Sequence, residues 1–361
     1  MSVNCEKKQR NSSIDTLRVF AIFYVVLLHT QPFHHSSEYY GLGIYKNLYV
    51  LIDCIGFAVP FFCMISGYFF GKKLLSGEPV IALTKRYCKR LFQIFVLWSI
   101  VYAFYSPLWL KDMCEYGFLR GVYWNFLRMT DVFKGHVAGA IEEPCRYIMM
   151  GTSYQLWFLT ALIIGLMFLA FFIYVKKEKF IIPGAMSLYI VGILGKRYSV
   201  LPLLGYDIAS EDLLGPLLIT IFVATGWRLS KMKNYSTRLA VCLVVGGGIL
   251  RFLELFFLWK FYEVEPSYAY LLSTIPLATG VFMLALQYPT VGANSIFPKL
   301  GRLTLGVYVL HVLILDAFFV FREPFFSPLA WDLLFPLVAY GLAILTTLIL
   351  QKIPVARIFV T

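Results

Sequence analysis

The sequence predicts an all-α integral membrane protein, a bundle of about ten transmembrane helices with both termini cytoplasmic. Three observations predict it. Of the 361 residues, 60% are hydrophobic and 14% charged, with a mean hydropathy of +0.74; soluble globular chains run at roughly 45–50% and 25%. Apolar runs close to the roughly 20 residues that cross a bilayer recur along the whole chain. The basic residues fall in the short gaps between those runs, where membrane topology is written. This composition excludes disorder, which needs low hydrophobicity and high charge. It also exceeds what one water-facing core can bury. The net charge of +12 does not argue for nucleic acid, because the basic residues are spread over gaps and not clustered on a face or arm.

Ten segments qualify as spans: 14–33, 47–70, 91–107, 154–174, 180–195, 213–229, 239–259, 268–288, 303–321 and 332–350. The first follows Lys7, Lys8 and Arg10 and has an apolar run, Val19 to Leu28, short enough for a signal peptide. That run ends in His-Thr-Gln-Pro with no small-residue cleavage pattern, so a retained helix with protein-covered polar ends is expected. The second carries Ser66-Gly67, a pair small enough for close helix packing. The third follows a basic cluster, Lys85, Arg86, Lys89 and Arg90. The only long connection, 108–153, is rich in Trp, Tyr and Phe with scattered charges. It reads as an interfacial element at the outer mouth, either a lid or a cover without substrate contact. In the seventh span, Gly246-Gly247-Gly248 suits helix packing better than phosphate binding. No fixed-period repeat or low-complexity linker divides the chain, so residues 1–361 read as a single domain.

With the N-terminus inside, the inner segments hold twenty of the 32 Lys+Arg and the outer segments ten, while Arg18 and Arg251 lie within spans. That two-to-one excess places both termini inside. The seven cysteines show no C-x-x-C and no metal-like spacing. Cys114 and Cys145 share the outer segment and are candidates for a disulfide if that side is oxidising, although spacing alone does not determine geometry. His34, His35 and His136 sit in outer segments without an Asp/Glu/His cluster, so no metal is expected.

Ionisable side chains inside a span are costly, and functional by default. The first span holds Asp15, Arg18 and His29. Eleven residues turn a helix by about 1100°, about 20° from three whole turns, so Arg18 and His29 share a face about 16 Å apart along the axis. The pair lines a cleft along that face, or Arg18 snorkels to the headgroups and His29 is an interfacial polar residue. Arg251 and Glu254 are helix neighbours in the seventh span, either a structural ion pair or a contact to substrate. His311 and Asp316 lie about 140° apart and form no local dyad. Trp157 suits a stacking platform or an interfacial belt.

Four stretches resemble membrane acyltransferase family 3. Ile14-Asp15-Thr16-Leu17-Arg18 through His29 is similar to its arginine, ten residues, histidine signature. Val59-Pro60-Phe61-Phe62-Cys63-Met64-Ile65-Ser66-Gly67-Tyr68 resembles its second span. Leu156-Trp157-Phe158-Leu159 and Leu300-Gly301-Arg302-Leu303-Thr304-Leu305-Gly306-Val307-Tyr308-Val309-Leu310-His311 match two later landmarks. The resemblance, nearest to bacterial surface-glycan O-acyltransferases, implies a multi-pass enzyme of a bacterial cell membrane. Its acyl group, usually acetyl, would pass from cytoplasmic acyl-CoA to a hydroxyl of a surface polysaccharide or lipid-linked glycan. Acetyl-CoA is then a donor substrate, with no tightly bound cofactor. The essential arginine and histidine fall on Arg18 and His29. The family's arginine-x-x-arginine falls on Arg86-Tyr87-Cys88-Lys89, with Arg90 following, so Lys89 keeps the charge but loses the bidentate fork. His311, Arg251, Glu254, Trp157 and Asp15 are expected in acceptor or supporting roles.

The chemistry agrees. A sugar hydroxyl needs a base poised near neutrality, and histidine supplies one. His29 deprotonates the acceptor or first receives the acyl group itself. Arg86, Lys89 and Arg90 are suited to the donor's phosphates, yet such clusters also arise as plain topology signals. The rival reading is a secondary transporter or flippase for a glycan or small solute, which tends to show internal repeats and paired broken helices.

Overall fold

The computed structural model describes residues 11–206, 214–266, 270–322 and 327–360, and among these there is helix and no strand. The helices are α1 Ser12–His29, α2 His34–Tyr40, α3 Gly43–Asp53, α4 Ala58–Leu75, α5 Val80–Ala103, α6 Trp109–Tyr116, α7 Phe118–Glu142 and α8 Pro144–Met150. They continue with α9 Trp157–Tyr174, α10 Ile181–Leu194, α11 Gly215–Ser230, α12 Thr237–Tyr262, α13 Thr274–Gln287, the short α14 Phe297–Leu300, α15 Thr304–Phe319 and α16 Pro328–Lys352. Among the described residues, six helical stretches are long and apolar enough to cross a membrane: Ser12–Tyr40, Gly43–Leu75, Tyr154–Tyr174, Thr237–Tyr262, Phe297–Phe319 and Pro328–Lys352. Two shorter apolar helices, Gly215–Ser230 and Thr274–Gln287, accompany them.

Each predicted segment contains helix, but three boundaries move for physical reasons. The first helix stops at His29, not at residue 33. Gln31 and Phe33 adopt φ of 50° and 65°, and Pro32 between them has no amide proton to continue the ladder. The second predicted span is two helices, α3 and α4, separated at 54–57 by a turn in which Gly56 has φ +61°. The third begins at Val80, so Arg86, Lys89 and Arg90 ride on α5 itself and are exposed there.

The break between α3 and α4 survives in an apolar setting because protein groups satisfy its backbone. Tyr24 Oη donates to the Ile52 carbonyl at 3.0 Å and accepts from the Gly56 amide at 2.9 Å. Arg251, 4% exposed, donates Nε to the Cys54 carbonyl and Nη1 to Thr274 Oγ1 at 3.0 Å. Glu254 accepts from the amides of Leu272 and Ser273 at 3.1 and 2.9 Å, capping the start of α13. It also takes the Tyr198 hydroxyl at 2.5 Å, and burial pushes the pKa of that hydroxyl up, which keeps it a donor. Arg251 and Glu254 thus hold two chain breaks in place. Arg251→Leu is expected to leave the Cys54 carbonyl unpaired at a cost of about 1–3 kcal/mol, seen as a lower melting temperature in detergent.

The segment 108–153 is a helical subassembly and not a loop. α6 folds back on the start of α7, where Arg128 Nε donates to buried Asp112 at 2.7 Å and Asn125 Nδ2 to the Trp109 carbonyl at 3.1 Å. α8 folds on the far end of α7, with His136 Nδ1 and the Tyr147 hydroxyl 3.2 Å apart. Burial lowers the His136 pKa. Cys114 and Cys145 are both free, exposed thiols. The disulfide considered from sequence does not form, because α7 keeps its ends apart: the rise from Gly121, packed on Met113, to Gly139, packed on Tyr147, is about 27 Å.

Two apolar cores meet along α1. One joins α4, α9, α10, α11 and α13 and takes Ile14, Ala21 and Tyr24 from α1. The other joins α5, α15 and α16 and takes Ile22 and Val26. Within the first, α4 and α11 pack backbone to backbone: a Cβ on Gly67 would lie 2.0 Å from the Val223 carbonyl oxygen, and one on Gly226 2.0 Å from that of Met64. Of the triple glycine only Gly247 meets a neighbour, the Leu277 amide of α13, while Gly246 and Gly248 face open space.

Candidate active site

α1 begins with Asn11, whose side chain accepts from the Ile14 amide at 3.0 Å, and carries Asp15 in its first turn. Asp15 accepts from Arg18 Nη1 at 3.1 Å, and the Arg18 guanidinium lies 5.8 Å from the Phe69 ring centre. Three turns on, the helix ends on His29.

Three elements converge there. His29 Nδ1 shares a 2.9 Å hydrogen bond with the Tyr154 hydroxyl, and the two rings stack at 5.2 Å. The His311 ring meets His29 edge-on at 5.0 Å. His311 is fully buried, and its Nδ1 lies 2.6 Å from the Tyr308 carbonyl. A carbonyl only accepts, so Nδ1 carries the proton and Nε2 the lone pair. That Nε2 is buried with no hydrogen-bond partner in the structure.

Neighbouring tyrosines position His311. The Tyr102 hydroxyl donates to the Val309 carbonyl at 2.8 Å and accepts from the Leu313 amide at 3.2 Å. It is thereby inserted into the i→i−4 ladder of α15 on either side of His311, a known cause of local helix bending. Tyr105 Oη donates to the Leu313 carbonyl at 2.7 Å. Tyr308 Oη donates to the Gln155 carbonyl and so binds α15 to the 3₁₀ turn Tyr154–Leu156.

Beyond His29 the chain reverses through Gln31 and Phe33, two of the five non-glycine positive-φ residues among those described. Such strain, about 1–3 kcal/mol each, clusters at functional sites. The reversal opens a polar crevice bordered by Thr30, Gln31, Arg322, Trp331 and Asp332. Asp332 there accepts from the amide and hydroxyl of Ser36 at 2.9 and 2.6 Å.

The structure thus joins His29 to His311 and leaves the other sequence candidates elsewhere. Arg18 and Asp15 pair near the opposite end of α1. Arg86 binds Glu78 on exposed surface, with Lys89 and Arg90 beside it on α5. Arg251 and Glu254 serve the helix breaks, and Trp157 packs on Gly215, where a Cβ would lie 2.7 Å from its ring. Tyr154, Gln155 and Tyr308 escaped sequence reasoning. Tyr154 and Gln155 directly precede Leu156-Trp157-Phe158-Leu159, and Tyr308 lies within the stretch Leu300 to His311, one turn before the histidine.

Fold and site define a multi-pass helical membrane protein with an imidazole pair at the end of its first helix. Residues 11–350 match the acyltransferase 3 family, described as an acyltransferase domain. The chain belongs to that family and is a membrane acyltransferase. It is 28% identical over 327 residues, 85% of its length, to an amino-acid racemase of Enterococcus faecalis. It is 26% identical over 191 residues, 52% of its length, to a serine/alanine racemase of Enterococcus gallinarum. The matched stretches span 41% and 23% of those proteins. The racemase names therefore describe proteins more than twice as long as the shared region. No solved structure matches the chain significantly.

Proposed function

We propose that the protein is an O-acyltransferase moving an acyl group, acetyl first among them, from cytoplasmic acyl-CoA to a hydroxyl of a cell-surface glycan or its lipid-linked precursor. The observation that carries this reading is the convergence of His29, Tyr154 and His311 on one point at the end of an apolar helix. In the tautomer that donates Nδ1–H to the Tyr154 oxygen, His29 Nε2 holds the lone pair and takes the hydroxyl proton, or receives the acyl group first.

In this reading ten helices span the membrane with both termini cytoplasmic, as the basic residues indicate, and the whole chain acts as one domain. The polyphosphate of the donor rests near Arg86, Lys89 and Arg90, and Arg18 guides its arm along the shared face toward His29. The acceptor approaches from the outer side, where α1 ends at His29, with α6 to α8 lying over the outer surface of the membrane.

Family membership favours this over the transporter weighed from sequence. The names of the racemase relatives favour a second acceptor class, a small hydroxyl-bearing amino acid such as serine. Purified protein with labelled acetyl-CoA is the test, offered isolated surface glycan or L-serine. Label in the glycan supports the first acceptor and label in O-acetylserine the second. Absence of transfer to either, together with counterflow of serine in proteoliposomes, overturns the acyltransfer reading.

A further inference from the structure

Two buried polar side-chain atoms at the site have no hydrogen-bond partner, Nε2 of His311 and Nε2 of Gln155. Gln155 is 2% exposed and lies in the turn that delivers Tyr154 to His29. Its side-chain oxygen accepts from Ser153 Oγ at 2.5 Å, which directs the NH₂ group away from Ser153. Its backbone carbonyl is held by the Tyr308 hydroxyl. The carbonyl of the same Tyr308 holds Nδ1 of His311. Gln155 and His311, which carry the orphan donor and the orphan acceptor, are therefore both tied to one tyrosine, the first through its backbone carbonyl and the second through Nδ1.

A buried donor left unmade costs about 1–3 kcal/mol, and folded proteins keep few of them. Acyl transfer supplies partners for both kinds of orphan. A proton must leave the attacking hydroxyl, and negative charge must gather on the carbonyl oxygen of the acyl group.

We propose that Gln155 Nε2–H donates to the acyl carbonyl oxygen and stabilises the oxyanion of the tetrahedral intermediate. The inference rests on the acyltransfer reading and adds a catalytic residue to it. In the step, the hydroxyl oxygen bonds to the acyl carbon while its proton passes to the imidazole pair. The C–O double bond opens onto the oxygen facing Gln155. It then re-forms as the C–S bond breaks, and the departing thiolate takes the proton from the imidazole. Ester and free thiol leave, and the protein is unchanged. Ser153 fixes the carboxamide and is a positioning residue.

The test measures kcat and KM for acetyl-CoA and acceptor with the full-length protein in detergent. Gln155→Met, similar in size but without a donor, is expected to lose about 10²–10³-fold in kcat with both KM values unchanged. Gln155→Asn keeps a shorter carboxamide and is expected to fall between the two. Ser153→Ala frees the carboxamide without removing it and loses less than Gln155→Met. Should the Met variant fail to fold, the Asn and Ser153 variants decide the matter by the same split. Undiminished kcat in the folded Gln155 variants overturns the proposal, as does a raised acceptor KM at constant kcat, which reassigns the residue to acceptor binding. No transfer by the unsubstituted protein overturns the acyltransfer reading itself, and this inference with it.

Discussion

Replacing His29 with alanine is expected to lower acyl transfer by about 10²–10⁴-fold, the range a positioned general base contributes. The protein should still insert and purify as before, because His29 is the last residue of α1 and both apolar cores are built from other side chains. Labelled acetyl-CoA measures the rate, and size-exclusion in detergent measures the fold. Tyr154→Phe keeps the stacked ring, 5.2 Å from the imidazole, but removes the hydroxyl that sets its tautomer. A smaller loss is expected there. Full activity in His29→Ala would end the role assigned to this imidazole.

The largest structural effect is expected at the α4–α11 contact. A Cβ at residue 226 lies 2.0 Å from the Met64 carbonyl oxygen, a backbone atom that cannot step aside. Gly226→Leu must therefore separate two helices that share the main core. Overpacking costs about 1–3 kcal/mol where side chains can adjust, and a backbone clash lies above that range. Loss of monodisperse protein is the expected readout, with Gly67→Leu behaving alike from the opposite helix. Gly246→Ala, which meets nothing within 4 Å, is the control. It is expected to be neutral or to stabilise α12 by up to about 1 kcal/mol through helix propensity. A well-folded Gly226→Leu would contradict the contact.

Much of the helical pattern was readable because apolar length is a local property. Runs such as 239–259 and 332–350 emerged as α12 and α16 with ends shifted by a few residues. The break at 54–57 was not readable, because apart from Asp53 the run around it is apolar enough to read as one span. What interrupts it is the remote pair Tyr24 and Arg251 binding its backbone. The 108–153 segment looked like a loop for the opposite reason. Its helices present apolar and charged faces on different sides, with Phe126 64% and Leu119 82% exposed, so no continuous apolar run marks them.

At the site, the composition of the first helix singled out Arg18 and His29, and their spacing put them on one face. Sequence could not say which of them would stand beside His311, 282 positions along the chain. Nor could it assign Arg251 and Glu254, neighbours on α12 that bind two different chain breaks. By itself the sequence determined the membrane class, the helical segments and the residues too polar for them, because hydrophobic length and burial cost are counted residue by residue. Tertiary structure alone decided the tautomer of His311, the insertion of Tyr102 into its helix and the buried, unpartnered donor of Gln155. Each depends on which carbonyl or hydroxyl a distant element brings within about 3 Å, and hydrogen bonds act only over that range.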